Sequence, residues 1–175
     1  MRTRKPHVVL LQETGKYLNA LEDWATRHGY VCKASRLEGR QGVAILAQRE
    51  FAQQYGIVFE TIIVGSAMAV RSTRQLSFVA VNVWFSPLGP TDRRRQYPAV
   101  GDYLRRKSHF AALVAGDHNR VDIDKGRFYY PAPGRPGRWG GADTRDLAFF
   151  RRLVAGPGGL TRAPSSHLGF HHPTG

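Results

Sequence analysis

Two short runs of purely apolar residues, each broken off by an acid, constrain this chain more than any other feature. Val8-Val9-Leu10-Leu11 stops at Gln12-Glu13, and Ala111-Ala112-Leu113-Val114-Ala115 stops at Gly116-Asp117. An apolar run without polar alternation is the pattern of a strand covered on both faces. A strand of that kind calls for packed layers on either side of its sheet, which points to a mixed α/β domain.

The segments around these runs agree. From Gly15 to His28 the residues Tyr17, Leu18, Leu21, Trp24 and Ala25 recur at helical spacing, so an amphipathic helix is expected, with Thr14 as its cap and Gly29 as its end. β-branched and aromatic residues mark strands at Gly42 to Ala47, Ile57 to Val64, Ala67 to Arg71 and Leu76 to Phe85, with turns at Gly65-Ser66 and Ser72-Thr73. Asp92 is placed to cap a basic helix from Arg93 to Lys107, in which Pro98 predicts a later start or a kink. Phe128 to Gly141 reads as a Pro/Gly loop, Asp143 opens a helix carrying Leu147, Phe150, Leu153 and Val154, and Gly156 to Gly175 is loop-like. No repeat or linker divides the chain, so residues 1–175 are expected to form a single α/β domain, β-rich in character.

Composition narrows the partners. The chain has 175 residues, 42% of them hydrophobic, enough for a packed core. Lys and Arg outnumber Asp and Glu by 26 to 13, a net charge of +13 spread along the sequence, which favours a polyanion and nucleic acid above others. A lone cysteine, Cys32, excludes an internal disulfide framework and a multi-cysteine zinc site. The apolar runs fall short of the ~20 residues of a membrane-spanning helix, and the basic start lacks the apolar core of a secretory leader. The expected setting is intracellular, and nuclear in a eukaryote.

Glu13 and Asp117 are the candidate chemistry. If their strands end on the same side of one domain, two carboxylates converge at the mouth of a sheet. Such an all-oxygen site suits Mg²⁺, completed by water and substrate phosphate. The alternative is that each acid serves the backbone, Glu13 at the positive end of the following helix. Asn119, two residues beyond Asp117, adds an amide able to hold a carboxylate or a water, or simply to form a turn.

Four segments in order, Leu10-Leu11-Gln12-Glu13-Thr14, Gly42-Val43-Ala44-Ile45-Leu46, Val81-Asn82-Val83-Trp84-Phe85-Ser86-Pro87 and Val114-Ala115-Gly116-Asp117-His118-Asn119, resemble the endonuclease/exonuclease/phosphatase superfamily, above all its retrotransposon-type and abasic-site endonucleases. The resemblance covers Val8 to the C-terminus. It implies a four-layered α/β/β/α sandwich, incomplete here, that binds Mg²⁺ or Mn²⁺ and hydrolyses phosphodiester bonds of nucleic acid, DNA foremost. In those terms Glu13 is the metal ligand, Asp117 positions or activates the attacking water, and Asn119 contacts the phosphate. Asn82 and Trp84, with Arg138 from the Pro/Gly stretch, are the expected nucleic-acid contacts. Arg135, Arg138 and Trp139 fit either a DNA-contacting insertion or a crossover.

The departures carry expectations of their own. Trp84 stands where the family has Tyr or His, and an indole donates one hydrogen bond but accepts none. His118 replaces an aromatic and is read as a packing residue. The family's opening Asn-containing motif and its closing Ser-Asp-His segment have no match, so the resemblance implies a domain truncated at both ends, from a retroelement open reading frame or a truncated gene model, with weak or no activity and low stability alone. The other readings are a phosphatase of the same superfamily and a non-catalytic basic nucleic-acid-binding module. Oligomeric state is not legible in the sequence.

Overall fold

Strand β3 (Gly42–Gln48) is buried along nearly its whole length because it is the centre of one sheet and is covered on both faces. The computed structural model describes residues 5–37, 42–75, 77–85, 90–107, 111–117, 127–132 and 135–141. In the first sheet β3 lies between β1 (Val8–Leu11) and β2 (Tyr30–Arg36), both antiparallel to it. The second sheet has the order β4 (Val58–Ile63), β5 (Ala67–Arg71), β6 (Phe78–Trp84), β7 (Ala111–Asp117), with only the β6–β7 pair parallel.

Side-chain alternation sorts these strands into four layers. Val43 and Ile45 of β3 meet Met68, Val70 and Ala80 of the second sheet, with Val8, Leu10 and Phe59 around them. Leu46 faces the other way, onto Ala25 and Leu21 of α1 (Leu18–Arg27). On the far side Val79, Val81 and Val83 of β6 bury Tyr97, Val100 and Tyr103 of α3 (Pro90–Arg106), the crossover that a parallel pair requires. The order of layers is α1, first sheet, second sheet, α3: the α/β/β/α arrangement expected. On the side of β1 and β7 the sandwich is open among the described residues: an apolar cavity of about 450 Å³ lies between the strands, and Leu113 is exposed.

Several elements differ from the sequence expectation. Thr14 does not cap α1, which begins at Leu18 after Tyr17 without a side-chain cap. The Thr14 amide is instead committed to Gly42 O at 3.1 Å, and its carbonyl accepts the Tyr17 N–H at 3.0 Å, so 14–17 is a turn. Gly29, at φ +80°, does end the helix. Two elements were not anticipated: β2, and α2 (Arg49–Tyr55), a seven-residue helix whose short apolar face, Phe51, Ala52 and Tyr55, is only half-buried. Helix α3 starts at Pro90, with Asp92 inside it, and continues through Pro98. Proline is well tolerated in a first turn, and the burial of Tyr97, Val100 and Tyr103 holds the segment helical past Pro98.

The stretch expected as a loop is a hairpin of β8 (Arg127–Ala132) and β9 (Arg135–Gly141). A register shift between Tyr130 and Ala132 falls at Pro131, which has no N–H to give the ladder. The expected helix from Asp143 and the tail beyond it lie outside the described residues.

One charged group ties α3 to its sheet. Glu60 of β4 accepts hydrogen bonds from Arg71 Nε of β5 at 2.6 Å and from the Tyr103 hydroxyl of α3 at 2.5 Å, with Lys107 Nζ 3.8 Å away. Burial pushes the Glu60 carboxyl up, but the bonds from Tyr103 and Arg71 and the charges of Arg71 and Lys107 outweigh it and hold the group below the ordinary glutamate value. Burial and the bond to Glu60 raise the Tyr103 hydroxyl. A carboxyl lowered on folding adds stability above its unfolded pKa and surrenders it as pH falls through the folded one. Thermal melts should therefore show Glu60→Gln less stable than the parent by about 1–2 kcal/mol at pH 7. The gap should narrow as pH drops below the ordinary value of 4.5; a gap that widens in acid would contradict this role.

Candidate active site

Strands β1, β6 and β7 all end at the same edge of the sandwich. Leu11 closes β1 opposite Ala44 near the start of β3, and in the parallel ladder Trp84 and Asp117 are partners at the ends of β6 and β7. Glu13, just past β1, and Asp117 thus lie at strand ends on one edge, the condition on which a shared site depended.

A single amide joins the two sheets there. Asn82 is fully buried on the face of β6 that looks toward the first sheet, and its Nδ2 donates to Leu11 O and to Ala44 O, each at 2.9 Å. Its Oδ1 accepts from Gln12 Nε2 at 2.5 Å. Expected as a phosphate contact, Asn82 is instead engaged at both ends of its amide in holding the sandwich together. A buried amide is kept only where its donors and acceptor are met, and here they are. The signal was visible as one polar residue inside the run Val79 to Trp84, although its partners were not.

Glu13 is exposed and sits at φ +58°, a region that a residue with a side chain seldom occupies. The constraint comes from both sides: Gln12 is tied to Asn82, and the Thr14 N–H to Gly42 O. Asp117 is half-buried, and its carbonyl accepts the Phe85 N–H at 2.8 Å. The glycine before it is obligatory. Gly116 has φ +137°, and a Cβ there would lie 2.0 Å from Val83 O. Trp84, half-buried, donates its backbone N–H to Ser66 O at 2.7 Å, while its indole Nε1 is buried and meets no partner among the described residues.

The remaining candidates fall elsewhere. Asn119 and His118 lie outside the described residues. Arg138 is opposite Tyr130 in the hairpin, a sheet separate from the two that carry Glu13 and Asp117. Burial, with Glu22 nearby, pushes the Cys32 thiol up to about 11, which leaves it protonated and unreactive at neutral pH. Among the described residues there is no group of three or more His, Cys, Asp or Glu able to hold a metal. Two carboxylates at an open edge remain the right donors for Mg²⁺ or Mn²⁺, hard ions that keep much of their water. No helix among the described residues is long and apolar enough to cross a membrane.

Two face-to-face sheets between helices make a fold that this chain shares with solved structures. The solved structures similar to this chain include the 3'-5' exonuclease (NExo) from Neisseria meningitidis, with a TM-score of 0.56 and 15% identity over 87% of this chain and 61% of that one. They also include the 3' phosphatase NExo from Neisseria bound to product DNA hairpin, with a TM-score of 0.56, 14% identity and the same coverage. An AP endonuclease from Archaeoglobus fulgidus aligns at a TM-score of 0.49 and 18% identity over 68% of this chain and 50% of its own. The chain thus spans 61% of the Neisseria proteins' length and half of the archaeal one, and the likeness to the Neisseria proteins is one of fold. No family model and no curated protein matches the sequence.

The edge makes a stability prediction with opposite signs. Asn82→Ala and Gly116→Ala should each cost about 3 kcal/mol in urea denaturation, one by orphaning buried backbone carbonyls, the other by forcing β7 off β6. Glu13→Gly should be neutral or stabilising by up to about 1 kcal/mol, because glycine accepts the backbone that glutamate resists. A destabilised Glu13→Gly would mean that the side chain supports the fold.

Proposed function

We propose that this chain is a divalent-metal-dependent hydrolase of phosphodiester bonds in nucleic acid, with DNA as the substrate class. The observation that carries the reading is the meeting of the Glu13 and Asp117 strand ends at the edge that Asn82 holds together. The net charge of +13 supports it, since phosphate contacts supply most of the sequence-independent affinity for nucleic acid. The named activities of the Neisseria neighbours are further support.

Glu13 would hold Mg²⁺ or Mn²⁺ through its exposed carboxylate. Bound there, the ion would polarise the phosphoryl group and offset charge building on the attacked phosphate. Asp117 orients the attacking water and accepts its proton while the ester P–O bond breaks. Asn119 donates to a phosphate oxygen, and Arg138 contributes to backbone affinity. Gln12 and Asn82 act behind Glu13, fixing the end of β1.

One observation favours a second reading, a basic module that binds nucleic acid without cleaving it. Trp84 cannot take up a proton, and its indole N–H is buried away from solvent.

Nicking of supercoiled plasmid separates the two readings. With Mg²⁺ the parent should nick, chelation should stop it, and Glu13→Gln and Asp117→Asn should each lose at least ~10²-fold in rate while still folding and binding DNA. A folded parent that binds DNA and never nicks would leave the binding module.

A further inference from the structure

Three of the five large apolar side chains exposed among the described residues, Tyr17, Leu37 and Val64, lie at the edge that carries Glu13 and Asp117. Tyr17 closes the turn after Glu13. Leu37, 45% exposed, and Val64, 56% exposed, come from different sheets and are held together. The Gly65 N–H donates to Ser35 Oγ at 2.9 Å, which ties the turn between β4 and β5 to the end of β2. Gly65 has φ +71°, and a Cβ there would lie 2.9 Å from Leu37 Cγ, so the leucine packs against the residue next to Val64. Single exposed aliphatics are ordinary; two fixed to one turn beside a pair of acids form a ridge.

The strand registers set this ridge at matching distances from the two acids. In the first sheet the Thr14 N–H donates to Gly42 O and Gly42 pairs with Arg36, so Glu13 and Leu37 adjoin positions two strand spacings apart. In the second, Asp117 pairs with Trp84, whose N–H donates to Ser66 O, so the Val64 turn also stands two spacings from its acid. At about 4.8 Å per spacing, the ridge lies roughly 10 Å to one side of the acids. Exposed Lys16 and Arg36 add positive charge on either side. A stacked strand with a phosphate at the acids would reach the ridge within about three nucleotides.

Leucine and valine side chains make no hydrogen bonds, so the ridge can neither read a base edge nor hold a phosphate. It gains only by covering apolar surface, and in nucleic acid that surface is the base faces, which an intact duplex keeps stacked. We infer that Leu37 and Val64 are specificity-determining residues: they cover the faces of unstacked bases a few nucleotides from the scissile phosphate, so that the chain favours DNA unpaired near the cut over intact duplex. The inference rests on the reading of this edge as a nucleic-acid site.

The test is fluorescence anisotropy with two labelled DNAs of equal length, one fully paired and one with a central unpaired bubble, in the presence of EDTA. Leu37→Ser should weaken binding of the bubble about 5-fold, and Val64→Thr, which keeps the shape of valine, about 2-fold. Binding of the duplex should be nearly unchanged for both, as should their thermal melts. Equal weakening on the two DNAs overturns the inference, since the contact would then ignore base stacking. So does parental binding of both DNAs by both variants, which would leave the ridge to a protein partner. Should Leu37→Ser not fold, Val64→Thr and Val64→Ser carry the comparison. Because chelation makes binding independent of cleavage, the two layers separate. A parent that binds neither DNA removes the nucleic-acid reading and the inference with it, whereas a parent that binds both, with variants that match it, removes the inference alone.

Discussion

The hydrogen bonds of the Asn82 amide are the interaction on which the rest of this structure depends. Face-to-face sheets held only by apolar contacts can slide, because dispersion and the hydrophobic effect are not directional. Asn82 reaches from β6 to two strands of the other sheet and accepts from Gln12, so sliding would leave a buried amide and two carbonyls unmet. That penalty pins the end of β1 against the end of β6. The parallel ladder then carries the same alignment to β7, through a glycine that alone permits the close approach at Val83. Glu13 and Asp117 inherit their places from these constraints.

The fold keeps its two kinds of charge apart. Arg71, at the far end of β5 from the Ala67–Val83 pairing beside the site, joins Glu60 to Tyr103 and helps fasten α3. There the carboxylate is matched from several sides and held ionised. At the other edge Glu13 is exposed, on a backbone constrained to positive φ. Strain of this sort is tolerated where the surroundings over-determine the conformation.

What the sequence revealed follows from burial. β3 and β6 read as apolar runs because layers cover them, whereas β7 reads the same way although Ala111, Ala112 and Leu113 are exposed at the open edge, so there the run overstated the cover; the acids at the ends of β1 and β7 were legible because each breaks an apolar run. β2 mixes Lys33 and Ser35 into its face and escaped notice, α2 is two turns long with a face only half-buried, and the prolines of 127–141 masked strands whose Phe128, Tyr129 and Tyr130 favour the extended state. Helix α3 was misread at its start because proline marks a boundary locally, while the tertiary burial of Tyr97 and Val100 is invisible along the chain. For the site the limit was similar. Asn82 was conspicuous as a polar residue, but only the sandwich shows that its partners are Leu11, Ala44 and Gln12. Thr14, expected to cap a helix, stands out only once its hydroxyl is seen to be buried without a partner among the described residues.

The central proposal is that three strand ends from two sheets form one cation site. Paramagnetic broadening of backbone amide signals by a trace of Mn²⁺ tests it most directly, since broadening falls steeply with distance from the ion. The account predicts that amides at Glu13–Thr14, Phe85 and Asp117 broaden together, ahead of those around Glu60 and Arg71 at the far end of β5. Broadening confined to one strand end, or centred on another surface, would contradict it.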